Sequence, residues 1–369
     1  MSTNLRRETT SSSHTSPVLS PAGTLSIAAG VLGQAGAPSP GPATKSKLSD
    51  PSGVAVDRAG NLYIADPQNQ VIEKVTPSGV LSVVAGVVGQ SGAPAPGAAT
   101  SSDLDDPVGV AVDGAGNLYV ADYDNADVEK VTPAGTLSVV AGDGQSGTPT
   151  PGPATSSGLS GPVAVAVDNS GTLYIADGGA DGGNNANDVV EKVTPAGVLS
   201  IVAGEPGQSG APSPGPAASS ELGGPVGVAV DAAGNLYIAD NDAANASTSV
   251  IEKVTPSGTL SIVAGVPGQQ PSAPTPGPAT SSSIGLPGGV AVDSAGDLYI
   301  PDLSNSVVYK VTASGTLSVV AGVVTQTGGS PTPGPATSSH LNDPSAVAVN
   351  NSGDVYIAGG NSVIEKITP

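Results

Sequence analysis

Pro51-Ser-Gly-Val-Ala-Val-Asp57, Leu62-Tyr-Ile-Ala-Asp66, Val71-Ile-Glu-Lys-Val-Thr76 and Val80-Leu-Ser-Val-Val-Ala-Gly86 follow one another with only short polar breaks. Each run is brief, rich in Val and Ile, and bounded by Gly, Pro or Asp, which are strand and turn signals. The same order recurs from Pro107, Pro162, Pro225, Pro287 and, slightly altered, Pro344, at spacings of 56, 55, 63, 62 and 57 residues. Gly60, Gly116, Gly171, Gly234, Gly296 and Gly353 fall where the first hairpin of each copy needs a positive φ. No window holds a helical period. Self-similarity at this period, with four antiparallel strands per copy, predicts an all-β, six-bladed β-propeller of four-stranded blades.

The two ends complete the count. The last copy stops at Pro369, after its third strand, while Pro21-Ala-Gly-Thr-Leu-Ser-Ile-Ala-Ala-Gly30 is a fourth-strand run without a blade of its own. Residues 21–30 are therefore expected to pair beside Val363 to Ile367 and close the ring, removing an edge open to aggregation. Residues 1–17 read as a disordered tail and 18–369 as the propeller.

The quoted runs Gly53 to Asp57, Ala59 to Asp66 and Ile72 to Thr76, with linkers such as Gly152 to Leu159, resemble NHL repeats over nearly the whole chain from about residue 18. The resemblance implies the propeller fold. It implies no single function, since propellers of this kind serve as protein-binding, ligand-sensing and enzymatic modules.

Composition narrows the field. The chain has 369 residues, 11 basic and 31 acidic side chains, a net charge of −20, no Cys, no Trp, no Phe and two His, His14 and His340. Disulfides, thiolate metal sites and cysteine nucleophiles are excluded. The charge and the missing aromatics argue against nucleic acid and against anionic membranes. No apolar run follows Arg6 and Arg7 as a secretory signal would require, and none is long enough to span a bilayer. The compartment stays open, with a composition compatible with an exported bacterial protein. A monomer is expected.

Repeated polar positions supply the candidate sites. Asp57, Asp113, Asp168, Asp231 and Asp293, with Asn350 in the sixth copy, end the innermost strand and read as Asx turns, the other reading being a cation-holding ring at the channel. Asp66, Asp122, Asp177, Asp240 and Asp302 end the second strand, with Gly359 as the gap in blade six. They read as loop caps or as a broken acidic circle able to hold Ca2+. Glu73, Glu129, Glu191, Glu252 and Glu365 each precede a Lys in the third strand, with Tyr309 in the fifth copy. That pattern is expected to be a solvated or inter-blade surface. Leu48, Leu104, Leu159, Leu222, Ile284 and Leu341 read as anchors for the Pro-rich connections, whose constant length marks them as architecture. Tyr63, Tyr119, Tyr174, Tyr237, Tyr299 and Tyr356 share one packing position, leaving Tyr123 and Tyr309 outside it.

Symmetry breaks where the loop after the second strand lengthens. From that Asp to the third-strand Glu is seven residues in blades one and two, 14 in blade three and 12 in blade four. The added segments carry Asp181, Asn184, Asn185, Asp188, Asp242 and Asn245, oxygen donors on the face shared with the blade-to-blade connections. With Tyr123 they form the expected binding surface. The reading is a non-catalytic NHL-type scaffold that binds a protein or peptide, basic in character, on that face, with no cofactor unless the acidic positions take Ca2+. The alternative is a metal-dependent hydrolase or lyase with a carboxylate-lined axial site.

Overall fold

The computed structural model describes residues 23–178, 187–241, 249–269, 273–324, 326 and 328–369. Six antiparallel sheets succeed one another around an axis. In blade one the strands are Gly53–Val56 on the inside, then Leu62–Asp66, Val71–Val75 and Val80–Ala85. Register is uniform: Val54 opposes Ile64, and Ile64 opposes Glu73. The turn glycine Gly60 sits at φ 82°, as its hairpin demands.

Each blade has a fifth strand beyond the four expected. Gly41–Pro42, from the connection entering blade one, pairs with Leu81 and Val80 and covers the outer edge. Two residues containing a Pro carry no alternation to read, which is why the pattern points to four strands. Their effect is protective, because a covered edge cannot template another chain.

Ring closure follows the expected route. Thr24–Gly30 pairs antiparallel with Val363–Thr368, Leu25 opposite Ile367, and on its other side with Gly334–Pro335. Sheet six is thus made from both ends of the chain. Residues 1–17 lie outside the described residues.

The apolar core is divided among the clefts between blades. Between blades one and two, Tyr63, Ala65 and Ile72 pack against Leu104, Val110, Leu118 and Val120, and five more such clusters complete the circle. The anchors Leu48, Leu104, Leu159, Leu222, Ile284 and Leu341 are all buried, each contributing about 1.5–3 kcal/mol by leaving water. Close approach of blades also dictates Gly53, where a Cβ would come 2.5 Å from the Val108 carbonyl oxygen.

Candidate binding site on the propeller axis

The innermost strands enter from the connection face, and their first residues enclose an axial cavity of about 220 Å³. Every blade contributes one triplet: 52–54, 108–110, 163–165, 226–228, 288–290 and 345–347. The lining is Val, Gly and Ala with two serines, Ser52 and Ser345. Both hydroxyls turn to backbone, Ser52 Oγ donating to Val108 O at 2.9 Å and Ser345 Oγ to Ser52 O at 3.5 Å. No carboxylate lines this cavity.

Among the described residues, acidic side chains stand just before the lining triplet in three of the six blades. Asp50, Asp106 and Asp343 each lie two residues before a lining residue, in blades one, two and six, which are neighbours in the ring. Blades three, four and five have Gly161, Gly224 and Leu286 there. The three aspartates hold a left-handed backbone, φ 64°, 57° and 43°, an unusual choice for a residue before proline. Burial, and then the charges of Asp124, Asp105 and Asp50, push the Asp106 carboxyl above its usual range. The charges acting on Asp106 are thus all acidic.

Asp66, Asp122, Asp177, Asp240 and Asp302 are fully buried and none lines the cavity. Each binds the connection that enters its own blade. Asp66 accepts from Ser49 N and Asn69 Nδ2, Asp122 from Asp105 N and Asn125 Nδ2, and Asp177 from Ser160 N and Asn187 Nδ2. Asp240 accepts from Gly223 N and Gly224 N, and Asp302 from Gly285 N and Leu286 N. Among the described residues no group of three or more His, Cys, Asp or Glu side chains could hold a metal ion.

The glutamates overturn the solvated-surface expectation. Glu73, Glu129, Glu191 and Glu252 are fully buried, and Glu365 nearly so. Burial, followed by the charge of the neighbouring Asp, drives the first four well above the ordinary carboxyl range. Glu365 opposes Ile357, as Glu73 opposes Ile64, but the second strand of blade six ends in Gly359 where the other blades carry Asp, and burial raises Glu365 to about 8. In blade five Tyr309 takes the position, and its hydroxyl donates to Asp302 Oδ2 at 2.9 Å. The lysines next in sequence reach the other side of the strand, where Lys74 lies 5.5 Å from the centre of the Tyr63 ring and Lys130 5.3 Å from that of Tyr119.

On the opposite face the first hairpins are Asx turns. Asp57 Oδ1 accepts from Ala59 N and Asn61 N, and Oδ2 from Asn61 Nδ2 and Tyr63 Oη. Arg58 reaches over this end to Asn169 of blade three, Nη2 to Oδ1 3.1 Å.

Of the expected binding residues, Asp181, Asn184, Asn185, Asp242 and Asn245 lie outside the described residues. Asp188 is buried at the start of the third strand of blade three, at φ 50°. Tyr123 packs its ring on Gly161, where any Cβ would collide with it, and donates its backbone N–H to Asp106 O at 3.2 Å. The rim aspartates escaped the sequence reading. Their signal was the Asp-Pro dipeptide, present in three copies and replaced in the other three.

Comparison with known proteins agrees with this architecture. No curated protein matches the chain. Among solved structures, a protein of unknown function from Bacteroides thetaiotaomicron aligns with a TM-score of 0.68 at 19% identity, covering 94% of this chain and 76% of its own. An auxiliary nutrient binding protein from Bacteroides ovatus gives 0.66 at 16%, covering 95% and 77%. A gluconolactonase from Xanthomonas campestris gives 0.55 at 16%, covering 95% and 99%. At these identities the likeness is one of fold. Among the described residues no helix is long and apolar enough to cross a membrane. The profile of the teneurin NHL domain matches residues 90–305, more than half of the chain, and with the six-bladed ring described above the chain belongs to that NHL family.

Proposed function

We propose that the chain is a non-catalytic NHL-type scaffold that binds a basic protein or peptide segment on its connection face, one long side chain entering the axial cavity. The observation that carries this reading is an apolar cavity whose rim is acidic on three adjacent blades, Asp50, Asp106 and Asp343. A Lys or Arg places its aliphatic stem against apolar surface and keeps its charge at the edge, which is the match such a mouth offers. The net charge of −20 steers a basic partner in the same direction.

Catalysis finds less support in these residues. A hydrolase or lyase needs a poised acid, base or ligand beside the reacting atoms, and the cavity presents Val, Gly, Ala and two serines committed to backbone carbonyls. The test is the triple variant Asp50→Asn, Asp106→Asn, Asp343→Asn, assayed by calorimetry against basic peptides selected on the wild-type protein. Weaker binding with a flatter salt dependence supports the reading. Unchanged affinity and salt dependence contradict it.

A further inference from the structure

In blades one to four, two carboxyl groups meet inside the protein with too few hydrogens between them. Beyond the residue's own backbone N–H, neither oxygen of Glu73, Glu129, Glu191 or Glu252 meets an N–H or O–H donor, and all four residues are fully buried. Each nevertheless stands within hydrogen-bonding reach of the Asp that closes the second strand. The Asp side is committed as an acceptor. Asp66 Oδ2 takes Ser49 N and Asn69 Nδ2, while Oδ1 is left bare toward the interior. In blade one both partners thus keep a bare buried oxygen, whereas in blades two to four the Asp oxygens are already accepting and the bare ones are those of the Glu. Bare buried acceptors are costly, and one proton between the two carboxyls relieves the Glu in every pair.

Blade five supplies an internal control. Tyr309 occupies the Glu position and does with a phenol what the account requires of a carboxylic acid: it donates O–H to Asp302. A repeat position that accepts either Glu or Tyr is selecting a buried hydroxyl donor. It is not selecting a charge.

We propose that each of blades one to four is held by one proton shared between its paired carboxyls, Asp66–Glu73, Asp122–Glu129, Asp177–Glu191 and Asp240–Glu252, and that alkali loosens the ring by removing it. The pair ties the third strand to the second and, through the Asp, to the connection entering the blade. The charged groups acting on the pairs are acidic throughout: the paired Asp in each case, with Asp105 and Asp127 at the second pair and Asp188 at the fourth. The remaining neighbours are neutral donors, Asn69, Asn125 and Asn187 with the N–H groups of the connections. No compensating cation enters, so a second charge has nothing to balance it. This inference is independent of the proposed partner.

The sign follows from linkage. The folded state keeps protons that the unfolded chain releases, so stability is fully present below the unfolded carboxyl range and is lost as pH rises toward the folded values. Each shared proton lowers the folding equilibrium constant about tenfold per pH unit across that window.

The experiment is a series of thermal melts of the full chain from about pH 5 to about pH 10, covering this linkage window, for the wild type and for Glu73→Gln, Glu129→Gln, Glu191→Gln and Glu252→Gln combined. A Gln amide donates to Asp as the protonated Glu does, so the variant should keep its melting temperature at alkaline pH where the wild type loses it. The same slope in both proteins would overturn the proposal. If the combined variant does not fold, the single Glu73→Gln variant decides by infrared difference. The wild type should show at neutral pH a protonated-carboxyl carbonyl band that the variant weakens, and identical spectra would overturn the proposal equally.

Discussion

The hydroxyl of Tyr309 donates to Asp302 Oδ2 at 2.9 Å, at the one third-strand position in blades one to five that is not Glu. This single exchange defines what the position does in its siblings, because Tyr can give a proton to Asp but cannot act as a carboxylate. It also makes blade five the blade in which a phenol, not a carboxylic acid, is the donor to the second-strand Asp.

Tyr309→Phe keeps the ring and deletes the O–H, which also serves as acceptor for Asn305 Nδ2 at 3.1 Å. Leaving buried Asp302 short of a donor should cost about 1–3 kcal/mol, read as a lower denaturant midpoint with an unchanged slope. A midpoint equal to the wild type would remove the staple from the account.

Closure of the ring makes Leu25 the counterpart of Leu81. Both are fully buried fourth-strand residues, one near the N-terminus and one in the middle of blade one. Leu25→Ala and Leu81→Ala should each cost about 2–5 kcal/mol, with comparable falls in melting temperature. A silent Leu25→Ala would mean that the N-terminal strand does not complete blade six.

Stability should also fall on the acid side, for the opposite reason. Partial burial works against the charge on Asp113, Asp168 and Asp231, but the donors of their own hairpins outweigh it and hold each carboxyl below its ordinary value. That contribution is present above the unfolded carboxyl range and is lost as pH falls through the lowered folded values. Replacing all three by Asn, which forms the same turn, should flatten the acid limb of the melting curve. An unaltered limb contradicts this.

Gly53→Ala tests the spacing of the blades around the axis. Its Cβ would lie 2.5 Å from the Val108 carbonyl oxygen and 3.3 Å from Ala65 Cβ, so an inner strand has to move. A loss of about 1–3 kcal/mol, typical of overpacking, is expected in urea unfolding. A neutral substitution would mean a looser inner ring than described.

Much of the ring was legible because its causes are local. Gly60 at φ 82° and the Asx bonds of Asp57 are demanded by one hairpin each, and Leu48 announces its burial by recurring at a fixed distance from Pro51. Gly41–Pro42 was not legible, since a two-residue strand has no period. The Glu-Lys dipeptide misled for a different reason. Neighbouring strand residues face opposite ways, so Lys74 can lie over Tyr63 at the surface while Glu73 is fully buried. A residue letter does not say whether its proton is on. Tyr309 in the fifth copy was the clue, because a charged surface position has no reason to accept a phenol. The rim aspartates became meaningful only when the ring set blades six, one and two side by side.

The most direct measurement is the charge profile of peptides enriched from a random displayed library on the immobilised protein, compared with enrichment on the Asp50→Asn, Asp106→Asn, Asp343→Asn variant. The account predicts enrichment of Lys- or Arg-containing peptides by the wild type and its loss in the variant. Enrichment of acidic or uncharged peptides, or of the same basic peptides by both proteins, would contradict a binding site at the acidic rim of the axial cavity.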